Sequence, residues 1–302
     1  MKRILLILIL ITCTRSFSQD VAFTQSFMIP ESINPSFSGF YQTTKAGLLY
    51  KNQQWSGFNF NLNSQFIYFD DWYPNLNSGI GISLINHQET VTNYNLKQVN
   101  LSWAYDVQID YDWHFRPSIS IGFGFKDYGF DNLLFEDQID IYQNLISSNT
   151  FDPIALSENV RYFDFGASFL FNNDYSWIGL TLRHLNRPNV SMVSQGDAPL
   201  DIFVSLHASL ELPVLNYNDD NSIFLITNFM MQGKYDRFDL GFQYVFDRFS
   251  VGLTAATNPI QTSEKSHFIT SVNPVIGMAW EGFKFGYSYD LDCYSHNIRI
   301  DH

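Results

Sequence analysis

The sequence is poor in charged residues, and poorer still in basic ones. Only 16% of its 302 residues are charged, whereas soluble domains average about 25%. It has 17 Lys and Arg against 30 Asp and Glu, which gives a formal net charge of −13. Proteins bind phosphate backbones through Lys and Arg. This balance therefore argues against a nucleic-acid-binding protein.

Cysteine is almost absent, with Cys13 and Cys293 as the two examples. Cys13 lies in an N-terminal stretch that has a positive start, an apolar run over residues 4–11 and a small-x-small site ending at Ser18. These are the three parts of a secretory signal peptide, so we expect residues 1–18 to be cleaved off an exported chain. The alternative is that Cys13 is a lipidated cysteine, although the Thr12 before it fits a lipobox poorly. If Cys13 leaves with the signal, no intrachain disulfide can stabilise the mature protein.

Long apolar runs are missing after residue 18, since none approaches the roughly 18–20 residues that a transmembrane helix needs. The chain instead alternates with period two, so that large apolar or aromatic residues occupy every second position. Successive side chains of a strand point to opposite faces of a sheet, so this pattern predicts β-strands. The clearest examples are residues 100–109, 118–125, 163–171, 238–247 and 283–291.

The residues between the apolar positions indicate which kind of sheet forms. They are mainly Gly, Ser, Asn and Asp, while 17% of the chain is aromatic. A transmembrane barrel has this distribution, with rings and aliphatic groups facing lipid and a polar lumen. Short runs of turn-forming residues separate the strands, as in hairpins. The sequence therefore predicts an all-β, antiparallel up-and-down transmembrane β-barrel of about 12–14 strands over residues 44–302; the weaker alternative is a soluble periplasmic β-sandwich.

One long segment, near residues 127–160, interrupts this rhythm. It has no Lys or Arg but seven Asp and Glu. A connection of this length in a barrel is an extracellular loop or an inward plug. Its acids could form a docking surface or a calcium site, but they do not follow EF-hand spacing, and a solvated loop is the simpler interpretation.

The most specific motifs lie near the mature N-terminus. Asp20-x-x-Phe23-x-Gln25 leads into Asn34-Pro35-Ser36-Phe37-Ser38-Gly39, and residues 50–57 read Tyr-Lys-Asn-Gln-Gln-Trp-Ser-Gly. This arrangement resembles the PorP/SprF family of type IX secretion proteins, and the resemblance continues through residues 79–86 and 177–188. It implies an outer-membrane barrel that acts with the type IX motor and peptidoglycan-linked periplasmic proteins. It also implies a role in exporting or anchoring surface adhesins, including those of gliding motility.

The N-terminal motif has a structural interpretation as well. Asn34-Pro35 favours a turn, Gly39 permits a positive φ, and Phe23 supplies an apolar anchor. We expect residues 19–43 to form a segment at the periplasmic mouth of the barrel, folding into or against it; the alternative is a docking strand for a periplasmic partner. The candidate site residues, structural or partner-binding, are Phe23, Gln25, Asn34, Pro35, Gly39, Gln54, Trp55 and Gly57.

Catalytic motifs are not found in the sequence. The histidines sit singly, and there is no P-loop, dinucleotide fingerprint or paired-cysteine motif. Residues 110–114, Asp-Tyr-Asp-Trp-His, could suggest a metal site but fit a polar turn better. We therefore assign no catalytic, cofactor-binding or metal-binding residue and do not expect an enzyme. Two functions remain, namely a secretion component and an independent channel for small solutes, and the fold alone does not choose between them.

Overall fold

The computed structural model describes residues 20–55, 60–90, 93–129, 136–140, 145–147, 159–192, 196–216, 219–260 and 269–293. These residues are almost entirely strands and turns, with a few single-turn 3-10 helices. Within them, no helix has the length and apolar character needed to cross a membrane.

The strands follow one another along the chain with short connections between most of them. Their bounds are β1 (Lys45–Trp55), β2 (Phe60–Tyr73), β3 (Ser78–Glu89), β4 (Asn95–Tyr105), β5 (Val107–Gln108), β6 (His114–Asp127), β7 (Ile139–Asp140), β8 (Leu145–Ile146), β9 (Val160–Asn172), β10 (Ser176–Arg183), β11 (Phe203–Asn216), β12 (Asp219–Gln232), β13 (Tyr235–Phe246), β14 (Phe249–Thr257), β15 (Ser271–Trp280), β16 (Phe283–Ser288) and β17 (Leu291–Asp292).

Fifteen of the 17 described strands form one antiparallel up-and-down sheet, which confirms the predicted fold class. Its main path runs β1-β2-β3-β4-β6-β9-β10-β11-β12-β13-β14-β15-β16. The two-residue strands β5 and β17 pair with β6 and β15 beside this path, and β7 and β8 pair only with each other. The path has 13 strands, within the predicted range.

The two edges of this sheet approach each other without pairing among the described residues. Because the 13 strands of the path alternate in direction, β1 and β16 run the same way and cannot pair antiparallel with each other. Their ends are nevertheless within side-chain reach, since Lys51 Nζ lies 3.2 Å from Asp290 Oδ2. The sheet is therefore strongly curved, and its concave side encloses an interior.

The alternation predicted from the sequence separates an apolar outer face from a polar interior. In β6, Ile119, Ile121 and Phe123 are exposed, while Ser118 and Gly122, on the opposite face of the strand, are buried. Many of the buried side chains elsewhere in the sheet are also polar or charged. This distribution is the reverse of a soluble sheet and is the one that lipid outside and polar groups inside require.

The two ends of the sheet differ in the length of their connections. At one end, here called the short-turn end, the turns are brief, as at residues 74–77, 173–175, 247–248 and 281–282. At the other, here called the long-connection end, residues 128–159, 184–202 and 258–270 join the strands. Bacterial barrels place short turns on the periplasmic side and long loops outside.

The predicted acidic loop begins at the long-connection end, after β6. The structure describes residues 136–140 and 145–147 of it, which include the small β7–β8 pair. Asp131, Asp152 and Glu158 lie outside the described residues, so the structure does not test whether they bind calcium. The alternation of the sequence also weakly predicts a strand over residues 295–301, and these residues lie outside the described ones.

A charged residue on the outer face should destabilise the protein more when it lies deeper in the bilayer. Ile121 lies near the middle of β6 and Phe125 near its end, and both side chains point outward. We expect Ile121→Arg to destabilise the protein by about 2–4 kcal/mol and Phe125→Arg by about 0–1 kcal/mol, as for Arg at the midplane and the interface of a bilayer. Urea unfolding in lipid vesicles measures both values. Equal costs at the two positions would contradict a lipid-facing outer surface.

Candidate functional site

Residues 20–43, here called the lumen segment, run through the interior of the sheet. Near the short-turn end, the backbone N–H of Gly39 donates to Asp70 Oδ2 of β2. At the opposite end, Asp20 lies 2.9 Å from His184 Nε2, directly after β10. The segment therefore reaches from one end of the lumen to the other, and its side chains contact strands all round the wall.

Arg116 of β6 holds the middle of the lumen segment. Its Nε donates to the carbonyl of Ser36 at 3.1 Å, and its Nη2 donates to the carbonyl of Ser38 at 2.9 Å. The residue is 1% exposed, and its Nη1 lies 3.1 Å from Asp106 Oδ2. A buried guanidinium needs a counter-charge and acceptors for its N–H groups. Asp106 supplies the first, and the segment's backbone supplies the second.

Asn34 is fully buried and uses its amide group in three directions. Its Oδ1 accepts from the backbone N–H of Ser36 at 2.7 Å, which caps the single 3-10 turn Pro35–Phe37. Its Nδ2 donates to the carbonyl of Phe169 at 3.1 Å and lies 3.0 Å from His207 Nε2. Pro35 occupies the first position of the turn, where its fixed φ fits and its missing N–H costs nothing.

Gly39 is required both by its backbone angle and by the space around it. Its φ is +66°, a conformation that residues with a Cβ rarely adopt. A Cβ at this position would lie 2.6 Å from the Cα of Gly79 in β3. The glycine therefore lets the segment lie directly against the wall of the sheet.

Phe23 and Gln25 fix the first part of the lumen segment by different contacts. The Phe23 ring packs against the buried cluster of Leu49, Phe66 and Tyr68, with ring centroids 6.4 Å apart between Phe23 and Phe66. Gln25 Nε2 donates to Ser288 Oγ of β16 at 2.8 Å. The structure thus brings five of the predicted residues, Phe23, Gln25, Asn34, Pro35 and Gly39, into one segment inside the sheet.

The remaining predicted residues lie elsewhere. Gln54 is exposed near the end of β1, at the long-connection end. Trp55 is the last residue of β1, and Gly57 lies outside the described residues. Gln54 is therefore not part of the lumen segment's contacts, although its motif follows the segment closely in sequence.

A charged cluster whose members are not among the predicted site residues holds the start of the segment. Asp20 contacts His184 and also Arg183, whose Nη1 lies 3.5 Å from Asp20 Oδ2. Nδ1 of the same histidine lies 2.9 Å from Asp164 Oδ1 of β9. Burial lowers the pKa of His184, but the carboxylates of Asp20 and Asp164 outweigh it and raise the pKa to about 10. Burial likewise raises the pKa of Asp20, but His184 and Arg183 outweigh it and hold that pKa well below its usual value.

Residues 110–114, considered above as a metal site or a polar turn, form the tip of the hairpin between β5 and β6 and the first residue of β6. The backbone N–H of Ile109 donates to the carbonyl of Trp113 across the tip, and His114 Nδ1 lies 3.0 Å from Asp106 Oδ1. In the described part of the chain, no three His, Cys, Asp or Glu side chains are placed to hold a metal ion. The geometry here is that of a turn.

Comparison with known proteins gives one informative match. A family model described as type IX secretion system membrane protein PorP/SprF matches residues 15–298. No curated protein matches the chain. A solved structure described as "Asymmetric conductivity of engineered proteins" is similar over 82% of this chain and 92% of its own, with 10% identity and a TM-score of 0.32. At that score the likeness supports no inference.

Gly39→Ala should loosen the lumen segment. Gly282 is a matched control, since its φ is +88° and a Cβ there would meet nothing within 4 Å. We expect Gly282→Ala to cost about 1–2 kcal/mol from its backbone angle alone. Gly39→Ala should cost about 1–3 kcal/mol more, because its Cβ also overlaps the wall. Chemical unfolding measures the difference, and equal costs would contradict the close approach.

The charged cluster at Asp20 should make stability depend on pH at both extremes. The raised pKa of His184 gives a contribution that is complete below about 6.5 and is lost as the pH rises through about 10. The lowered pKa of Asp20 gives a contribution that is complete above its usual value and is lost as the pH falls below it. The unfolding midpoint of the wild type should therefore fall at alkaline pH more steeply than that of His184→Gln. Parallel alkaline profiles for the two proteins would contradict the ion pair.

Proposed function

This chain belongs to the PorP/SprF family of type IX secretion system membrane proteins, and from that premise we propose that it is an outer-membrane accessory barrel of the system. In this role it assists the secretion or cell-surface anchoring of adhesins by binding partner proteins. The family is one of secretion-system membrane components and not of enzymes.

The observation that carries this proposal is the lumen segment. A solute channel needs a continuous water path, whereas here a folded stretch of chain occupies the interior from end to end. The segment is held by the buried Arg116 and Asn34 in the middle and by Asp20 at its start. Its removal would leave Nε and Nη2 of the buried Arg116 without the carbonyls of Ser36 and Ser38, at about 1–3 kcal/mol for each unsatisfied group. Such a lumen favours a role in binding partners over one in conducting solutes.

The proposed partners follow from the family and from the two ends of the sheet. At the short-turn end, which we place in the periplasm, the barrel would meet the type IX motor and peptidoglycan-linked proteins. At the long-connection end it would meet the secreted adhesins at the cell surface. The exposed apolar face between the ends would contact outer-membrane lipid.

A clean deletion in the native host tests the secretion role. We expect loss of one or a few large surface proteins from the cell surface and culture medium, measured by quantitative proteomics, with other export unchanged. Expression of the intact chain from a plasmid should restore them. An unchanged set of secreted proteins in the deletion strain would contradict the proposal.

Conductance provides the test against a channel. The purified protein in a planar bilayer should show little steady conductance, because the lumen segment fills the interior. Wild-type pores of steady conductance, together with altered solute uptake in the deletion strain, would favour the channel instead.

A further inference from the structure

We propose that the tip of the β5–β6 hairpin, at Ile109, Asp110, Tyr111, Asp112 and Trp113, docks a periplasmic protein that presents a basic surface beside an apolar recess. These five residues are here called the acidic tip. The inference rests on the proposed function, since it names a surface through which the barrel would bind its periplasmic partner.

The acidic tip combines exposed rings with exposed carboxylates. Tyr111 is 88% exposed, and Ile109 and Trp113 beside it are also exposed. Asp110 and Asp112 flank the tyrosine and face solvent. Residues 98–113 contain no Lys or Arg, so no basic side chain of this stretch offsets the two acids. Tyrosine is a frequent anchor residue in protein interfaces, because it offers a large apolar body with one polar group.

The tip is held in a defined shape before any partner binds. The backbone N–H groups of Ile109 and Asp110 both donate to the carbonyl of Trp113, and Asp110 Oδ1 accepts from the backbone N–H of Tyr111 at 2.8 Å. At the base of the hairpin, Asp106 is fixed by His114 and by the buried Arg116. A surface ordered in advance binds with a smaller entropic cost.

The position and charge of the tip favour a protein over the membrane surface as its occupant. It lies at the short-turn end, which faces the periplasm in bacterial barrels. Carboxylates on both sides of Tyr111 would be repelled by anionic lipid headgroups. The same carboxylates attract Lys and Arg of a protein and orient its approach. A basic protein surface with a recess for Tyr111 therefore satisfies both parts of the tip.

The test is a pair of matched variants of the full-length chain, expressed in the deletion strain. Tyr111→Ala with Asp112→Lys alters the acidic tip. Tyr175→Ala with Asp174→Lys makes the same chemical change at the β9–β10 turn of the same end, where Tyr175 is 59% exposed. Equal amounts of both variants in the outer membrane, with the heat-dependent gel shift of a folded barrel, show that neither change prevents folding. We expect the tip variant to lower adhesin secretion at least tenfold and the control variant to leave it within twofold of wild type.

Carbodiimide coupling in intact cells identifies the occupant. The reagent condenses a carboxylate with a lysine amine to an amide and is itself hydrated to a urea, so it joins only groups already in contact. Mass spectrometry should find Asp110 or Asp112 of the wild type linked to a lysine of a periplasmic protein, and this link should be lost in the tip variant. Coupling to phosphatidylethanolamine instead would mark the tip as a membrane contact and overturn the proposal.

The results distinguish failure of the docking proposal from failure of the secretion role. If the deletion strain loses adhesin secretion but the tip variant restores it fully, the docking proposal is wrong and the secretion role stands. If both variants lower adhesin secretion equally, the loss comes from a general effect of charge at the short-turn end and not from the acidic tip, and the docking proposal is again wrong. If the deletion strain secretes normally, the secretion role fails and the docking proposal with it.

Discussion

The buried guanidinium of Arg116 sets the constraint on which the interior depends. A charge removed from water must be paired and its N–H groups must find acceptors, or it costs several kcal/mol. The sheet supplies the counter-charge in Asp106, but two acceptors are carbonyls of the lumen segment, at Ser36 and Ser38. The polar wall and the lumen segment therefore supply each other's hydrogen-bond partners, and each would have unsatisfied polar groups without the other. This mutual dependence makes the lumen a folded polar core, with hydrogen bonds in the place that apolar packing takes in a soluble protein.

Because the lumen segment occupies the interior, the surfaces of the molecule are left as the sites where other molecules can bind. Ion pairs hold the segment at both ends, through Lys45 and Glu31 near the short-turn end and through Asp20 at the other. Partners must then be recognised by the turns, the long connections and the outer face. The same Asp106 that pairs with Arg116 also fixes the base of the β5–β6 hairpin. The interior and one surface at the short-turn end thus share a single carboxylate, which links the packing of the lumen to the shape of that surface.

The sequence predicted the features that depend on local pattern, and missed those that depend on curvature. Alternation with period two gave the two faces of β6 correctly, because each side chain's face follows from its neighbours. The same pattern predicted one uninterrupted strand through residues 100–109, but β4 ends at Tyr105, since Asp106 leaves the ladder to pair with Arg116 and His114. The contact of Asp20 with His184 joins residues 164 positions apart. Such contacts require the sheet to have curved around the segment, and no local pattern in the sequence indicates that.

The curvature of the sheet gives the lumen segment a second role, which is to connect the two edges of the sheet. Because β1 and β16 run in the same direction, the described sheet has two edges that no antiparallel ladder between them can join, and open edges are costly in hydrocarbon. The segment contacts both edges: Lys51 Nζ of β1 donates to the carbonyl of Ala22, and Thr24 Oγ1 donates to Asp290 beyond β16. Lys51 also meets Asp290 directly. The lumen segment therefore fills the interior and also bridges the two edges of the sheet, so the same contacts close the lumen and hold the curved sheet together.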